Sequence, residues 1–92
     1  MRIRLTTSAE NDLESIEAYI RQDNARAAVT TVLHVLDSIE GLMKYPNLGR
    51  PGRLSGTREL VIGGTPFIAI YSVRQNIIWV LRILHGAQKW ME

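Results

Sequence analysis

An α+β fold, in the order strand, helix, helix, strand, strand, strand, follows from three features of this 92-residue chain. Two amphipathic stripes separated by about four residues occupy the first half, a Gly- and Pro-rich break follows them, and three short apolar segments joined by tight turns run from Arg58 to Leu84. An antiparallel sheet of those consecutive strands, with the helical hairpin packed on one face, buries all of these apolar stretches at once. At this length the chain makes one domain, residues 1–92, with a single modest core.

The elements can be read in order. Arg2–Leu5 is a short strand with Ile3 and Leu5 on one face. Thr7 and Glu10 have capping-box spacing and start a helix. Its inner stripe is Ala9, Leu13, Ile16 and Ile20, at helical spacing, with Asp12, Glu14 and Glu17 off the stripe. Asp23 or Asn24 caps a second helix, whose apolar repeat is Ala25, Val29, Val32, Leu36, Ile39 and Met43. The short connection makes the pair antiparallel. Pro46 ends the helical stretch, and residues 46–57 read as a loop. A second strand runs from about Arg58 to Ile62. Gly63-Gly64 supplies the positive φ of a tight turn. A third strand covers Phe67–Val73, Arg74-Gln75-Asn76 turns the chain again, and Ile77–Leu84 is apolar enough to lie centrally with both faces covered. Two helices cover only one face, so the apolar residues of the other predict a partner.

Composition narrows the function. There is no cysteine, so neither disulfides nor thiolate metal sites are available, as suits a reducing cytosol. The start, MRIRLTTSAEND, has no apolar h-region, and the longest apolar run, Ile77–Leu81, is far short of the ~20 residues of a membrane span. A cytoplasmic protein without membrane contact is expected. The formal charge of +2 is too small to argue nucleic-acid binding by itself. Most acids lie between Glu10 and Glu40, whereas Lys44, Arg50, Arg53 and Arg58 form an acid-free basic stretch.

Three local signatures carry a family resemblance. They are the loop GRPGRLSGTREL leading into a strand, the Pro66-Phe67 strand with Tyr71 and Val73, and the ending ILHGAQKW. Their order and spacing resemble the ParE branch of the RelE/ParE toxins, the toxic components of type II toxin–antitoxin modules. The resemblance spans essentially the whole chain. It implies a toxin neutralised by a cognate antitoxin in a hetero-oligomer. The ParE branch generally inhibits DNA gyrase rather than cutting RNA, so gyrase is the implied target. The alternatives are a RelE-type, ribosome-dependent messenger-RNA endonuclease and a module toxin with another target.

RelE-type enzymes set cations on their second and third strands and after the fourth, plus a tyrosine in a C-terminal extension. Such chemistry needs a base, an acid and cations against the phosphorane charge. The corresponding positions here are Glu59, Val61, Ile68 and one near Ala87, and no tyrosine follows the last strand. The expectation is therefore a non-enzyme, with no catalytic residues, cofactor or metal. It is also expected not to bind nucleic acid in a sequence-specific way on its own. Candidate target-binding residues are Arg50, Arg53, Arg58, Arg82, His85 and Trp90. Each has a plainer reading. The loop arginines are solvated. Arg82 pairs with an acid on the helices. His85 hydrogen-bonds at a strand end beside Gly86, and Trp90 packs back on the sheet. His34 reads as structural or solvated, and Trp79 as core.

Overall fold

The computed structural model describes residues 1–86. Trp90, with the rest of the AQKWME ending, lies outside the described residues. The elements are β1 (Arg2–Leu5), α1 (Thr7–Arg21), α2 (Ala25–Glu40), a 3₁₀ turn (Gly41–Met43), β2 (Arg50–Pro51), β3 (Arg58–Val61), β4 (Phe67–Arg74) and β5 (Ile77–His85). The sheet order is β1-β5-β4-β3-β2. Antiparallel pairing runs from β2 to β5, and β1 adds to β5 in parallel. The two-residue β2 lies inside the expected loop. A strand that short, half of it proline, leaves no hydrophobic alternation to read.

Helix α1 starts one residue before the expected capping box. Thr6, not Thr7, is the N-cap, and its hydroxyl accepts from the Ala9 amide at 3.1 Å while donating to the Leu81 carbonyl at 2.8 Å. The second bond fixes the helix start to β5, and that tertiary anchor outweighs local capping preference. Asn24 caps α2 through the Ala27 amide. Ala9, Leu13 and Ile16 face the sheet as expected. Helix α2 is rotated from the expected stripe. Ile39 faces inward as expected, but its inward companions are Ala28, Val35 and the following Leu42, whereas Val29, Leu36 and Met43 of the expected stripe are exposed, as is Leu33. This helix has two apolar rows, and periodicity alone cannot choose between them.

The core joins Ala9, Val35, Ile39 and Leu42 to Leu60, Ile62, Ala69, Tyr71, Ile78, Val80 and Ile83 from the sheet. Each large side chain buried here is worth about 1.5–3 kcal/mol. A β-bulge sets which residues of β5 point inward. Ile70 pairs with Arg82 and Tyr71 with Val80, so Leu81 is the extra residue. Val80 and Ile83 can therefore both face the helices, and Ile78 and Val80 share a face with Tyr71 rather than with Ile68 and Ile70. Trp79 points to the other face and is not part of the core. The β4–β5 turn is a two-residue loop in which Gln75 and Asn76 have φ of 51° and 63°, the pattern that matches strand twist in hairpins. In the β3–β4 turn Gly64 takes φ 76°.

Where β1 ends, α1 takes over the exposed edge of β5. The Thr6 amide donates to the Val80 carbonyl, the Thr6 hydroxyl serves Leu81, and Asp12 accepts from the Ile83 amide at 2.9 Å.

Candidate functional site

The loop before β3 is held from beneath by Tyr71, which is fully buried. Its phenol donates to the Pro46 carbonyl at 2.7 Å and accepts from the Gly49 amide at 2.9 Å. A side chain on Gly49 would stand 2.7 Å from the Tyr71 ring, so the approach demands glycine. Arg58 reinforces the same loop by donating to the Gly49 carbonyl at 2.7 Å. Its guanidinium thus acts as an internal strut.

Arg50 and Arg53 converge on Glu59, whose side chain is only 5% exposed. Arg50 donates through Nε and Nη2 to Oε1 at 3.3 and 3.1 Å, and the Arg53 amide reaches Oε2 at 3.4 Å. The Arg53 Nε lies 3.9 Å from the same oxygen. The basic loop is therefore charge-compensated from below, a pairing that sequence reasoning missed because it saw Glu59 only as a misplaced acid. The β2–β3 register, with Arg50 opposite Glu59, creates it.

Arg82 turns to the helices and makes two bonds to Asp12, Nε to Oδ2 at 2.7 Å and Nη2 to Oδ1 at 3.0 Å. Hydrogen bonding to that carboxylate, more than its coulombic field, raises the Arg82 pKa above its ordinary value, against a lowering by burial. The gain in stability from this raised pKa is complete below the unfolded-state pKa and fades only in extreme alkali, so Arg82 is charged at any working pH.

His85 ends β5, with its ring edge-on to Phe67 at 6.2 Å between centroids. It borders a small cleft that Arg53, Glu59, Ile68, Ile70 and Leu84 also line. On the helix side it lines a groove of about 770 Å³ between α1, α2 and the β3–β4 turn, whose walls include Ile16, Tyr19, Ile20, Pro66 and Phe67. His34 fastens α2 to that turn, with Nε2 2.7 Å from the Gly63 carbonyl. Tyr71, buried and twice bonded, faces the core and is not a partner for His85. The structure thus brings Arg50, Arg53 and His85 around Glu59, and places Arg58 and Arg82 in internal contacts.

The exposed large apolar residues gather mainly on α2 and the segment after it. Those on this stretch are Val29, Leu33, Leu36, Met43, Tyr45 and Leu48, with Leu33 61% exposed. On the helix-free face, by contrast, Ile70 and Leu84 are buried. Among the described residues no three His, Cys, Asp or Glu side chains form a metal-binding group, and no helix is long and apolar enough to cross a membrane.

Comparison with known proteins points one way. A family model described as the ParE toxin of the type II toxin–antitoxin system parDE matches residues 3–90. Y4kP of Sinorhizobium fredii, named as a candidate toxin, is 38% identical over 89 residues, covering 97% of this chain and 92% of its own length. Toxin RelE2 of Caulobacter vibrioides is 32% identical over 83 residues, covering 90% and 92%. Among solved structures, a chain of the chromosomal ParDE system of P. aeruginosa superposes with a TM-score of 0.85 at 28% identity, covering 92% of this chain and 95% of that one. A chain of the RelBE2 toxin–antitoxin complex of Mycobacterium tuberculosis, at 24% identity and a TM-score of 0.63 over 91% and 95%, shares the fold.

Proposed function

Because the chain belongs to the ParE toxin family of type II toxin–antitoxin systems, we propose that it arrests growth by binding DNA gyrase, without catalysis, and that a cognate antitoxin neutralises it. The observation carrying this reading lies on the sheet. Positions that a ribosome-dependent ribonuclease would line with cations hold Glu59, already compensated by Arg50 and Arg53, and the adjacent aliphatic pair Val61 and Ile68. A phosphorane forming there would meet, among the described residues, no uncommitted cation. The antitoxin reading rests on a second surface. The exposed row Val29, Leu33, Leu36 and Met43 has the spacing that accepts an amphipathic helix. The matched M. tuberculosis structure is itself a toxin–antitoxin complex. The two proteins would form a hetero-oligomer in the cytoplasm.

One observation favours a second reading. His85 borders the same small cleft as Glu59 and Arg53, an acid, a base and a cation at one strand end. That set is the minimum for ribonuclease chemistry. Two assays on the purified protein separate the readings. At micromolar toxin, gyrase should lose supercoiling activity, while translating ribosomes should show no new A-site cuts in messenger RNA. Unimpaired supercoiling sinks the gyrase reading, and cuts that disappear on His85→Ala replace it with the ribonuclease.

A further inference from the structure

At the end nearest the β4–β5 turn, the helix-free face of the sheet has a patch that neither reading above uses. Strand register sets Arg2, Ile77 and Arg74 side by side in one row, and Arg4, Trp79 and Ser72 in the next. Arg2, Arg4 and Arg74 are exposed, and among the described residues no carboxylate pairs with any of them. At a strand spacing of about 4.8 Å, Arg2 and Arg74 stand roughly 10 Å apart across Ile77. Outside residues 7–40 the described chain has one carboxylate, Glu59, and two arginines already hold it.

The surface beside these cations is concave. Two adjoining clefts of about 370 and 280 Å³ share Thr57 and Ser72 in their walls, and Trp79 and Arg74 line the second. Three hydroxyls border the clefts. Those of Thr6 and Thr57 donate to the Leu81 and Leu54 carbonyls. Ser72 is 5% exposed, and its hydroxyl has no hydrogen-bond partner among the described residues. Buried polar groups are nearly always paired, so an unpaired one lining a cleft marks a place for an incoming polar atom.

We propose that this patch binds the sugar–phosphate backbone of a single-stranded nucleic acid without reading its sequence. Arg2, Arg4 and Arg74 meet phosphates, and the Ser72 hydroxyl donates to a backbone oxygen. Trp79 receives a base. Arginine forks match phosphate oxygens in pairs. An indole among cations is the combination that single-strand binders use, stacking serving any base. An acidic peptide would satisfy the cations but leave the aromatic surface without a partner. This inference does not depend on gyrase being the target.

The test uses the full chain carrying Trp90→Phe, which leaves Trp79 as the sole tryptophan. Titration with a 12-nucleotide oligothymidylate should quench its fluorescence saturably. Three phosphate contacts on a single strand give a log–log salt slope of about −2, so affinity should fall about 16-fold between 50 and 200 mM salt. Replacing Arg2, Arg4 and Arg74 together by Gln should weaken binding at least tenfold and flatten the salt dependence. Arg74→Gln alone and Ser72→Ala should each weaken it several-fold, and Arg26→Gln on the helices should change nothing. Absence of quenching at 50 mM salt, or undiminished binding by the folded Arg74→Gln and triple variants, overturns the proposal. So does equal affinity for a glutamate-rich peptide of the same length, which would make the patch a carboxylate site.

Discussion

Residues 7–40, which form the helical hairpin, carry seven carboxylates and two arginines, whereas residues 1–6 and 41–86 carry eight cations and one carboxylate. The net charge of +2 conceals this division. Polar groups are also used differently in the two layers. In the sheet and its loop Tyr71 and Glu59 are turned inward, Tyr71 bonded to loop backbone and Glu59 held by Arg50 and Arg53, while Arg2, Arg4 and Arg74 stay on the surface. On the hairpin most are solvated, and the exposed apolar row of α2 lies among them. Stability is therefore concentrated in the sheet layer and its junction with α1, and the exposed apolar surface in the hairpin. Asp12–Arg82 joins the two.

Substitutions can break or sharpen that contrast. The largest effect is expected from Tyr71→Phe, which leaves the Pro46 carbonyl and the Gly49 amide without their phenol. At about 1–3 kcal/mol for each unpaired group, the loss is about 2–6 kcal/mol. Urea unfolding should show the midpoint falling with an unchanged slope. Next comes Asp12→Ala, which strands both the half-buried Arg82 and the Ile83 amide at a cost of about 2–3 kcal/mol. Hydrogen exchange at Ile83 should speed up even under native conditions. A loss below 0.5 kcal/mol would mean that the layers are joined by apolar packing alone.

Arg50→Ala with Arg53→Ala should cost about 1–2 kcal/mol, the guanidinium contribution being screened because both arginines are about half exposed. Adding Glu59→Gln should restore much of the stability, since the damage is an uncompensated buried carboxylate. Any effect of the double change on gyrase that survives the rescue then belongs to target contact. The smallest effect on stability, within about 0.5 kcal/mol, is expected for Leu33→Ser on the exposed row. Calorimetry should nonetheless find antitoxin affinity at least tenfold weaker. Unchanged affinity would move the antitoxin off this helix.

The parts of this contrast that are legible in the sequence are those set by local chemistry. Gly63-Gly64 and Gln75-Asn76 mark their turns, Asn24 marks a cap, and the Ala9–Leu13–Ile16 stripe places α1. The remainder depends on neighbours distant in the chain. Whether Val29 or Ala28 faces inward is decided by packing against α1 and the sheet. The bulge at Leu81 is invisible in a run of apolar residues, and it alone decides which residues of β5 enter the core. The same holds for the site. Arg50 and Arg53 read as free loop cations until the β2–β3 register brings Glu59 between them. Arg2, Arg4 and Arg74 lie at opposite ends of the sequence and form a patch only across three strands.

The parallel pairing of β1 with β5 has a consequence for synthesis. Arg2 finds its partner at Ile77, and the Thr6 hydroxyl finds Leu81 75 positions away. During translation the first strand must wait, unpaired, until β5, some 75 positions later, has left the ribosome. Contacts so distant in sequence slow folding and leave apolar edges open meanwhile. A nascent chain lacking β5 has no completed sheet on which to seat α1, so it should be harmless to its cell, and a protease or a partner waiting at the exit site would meet it before its toxicity begins.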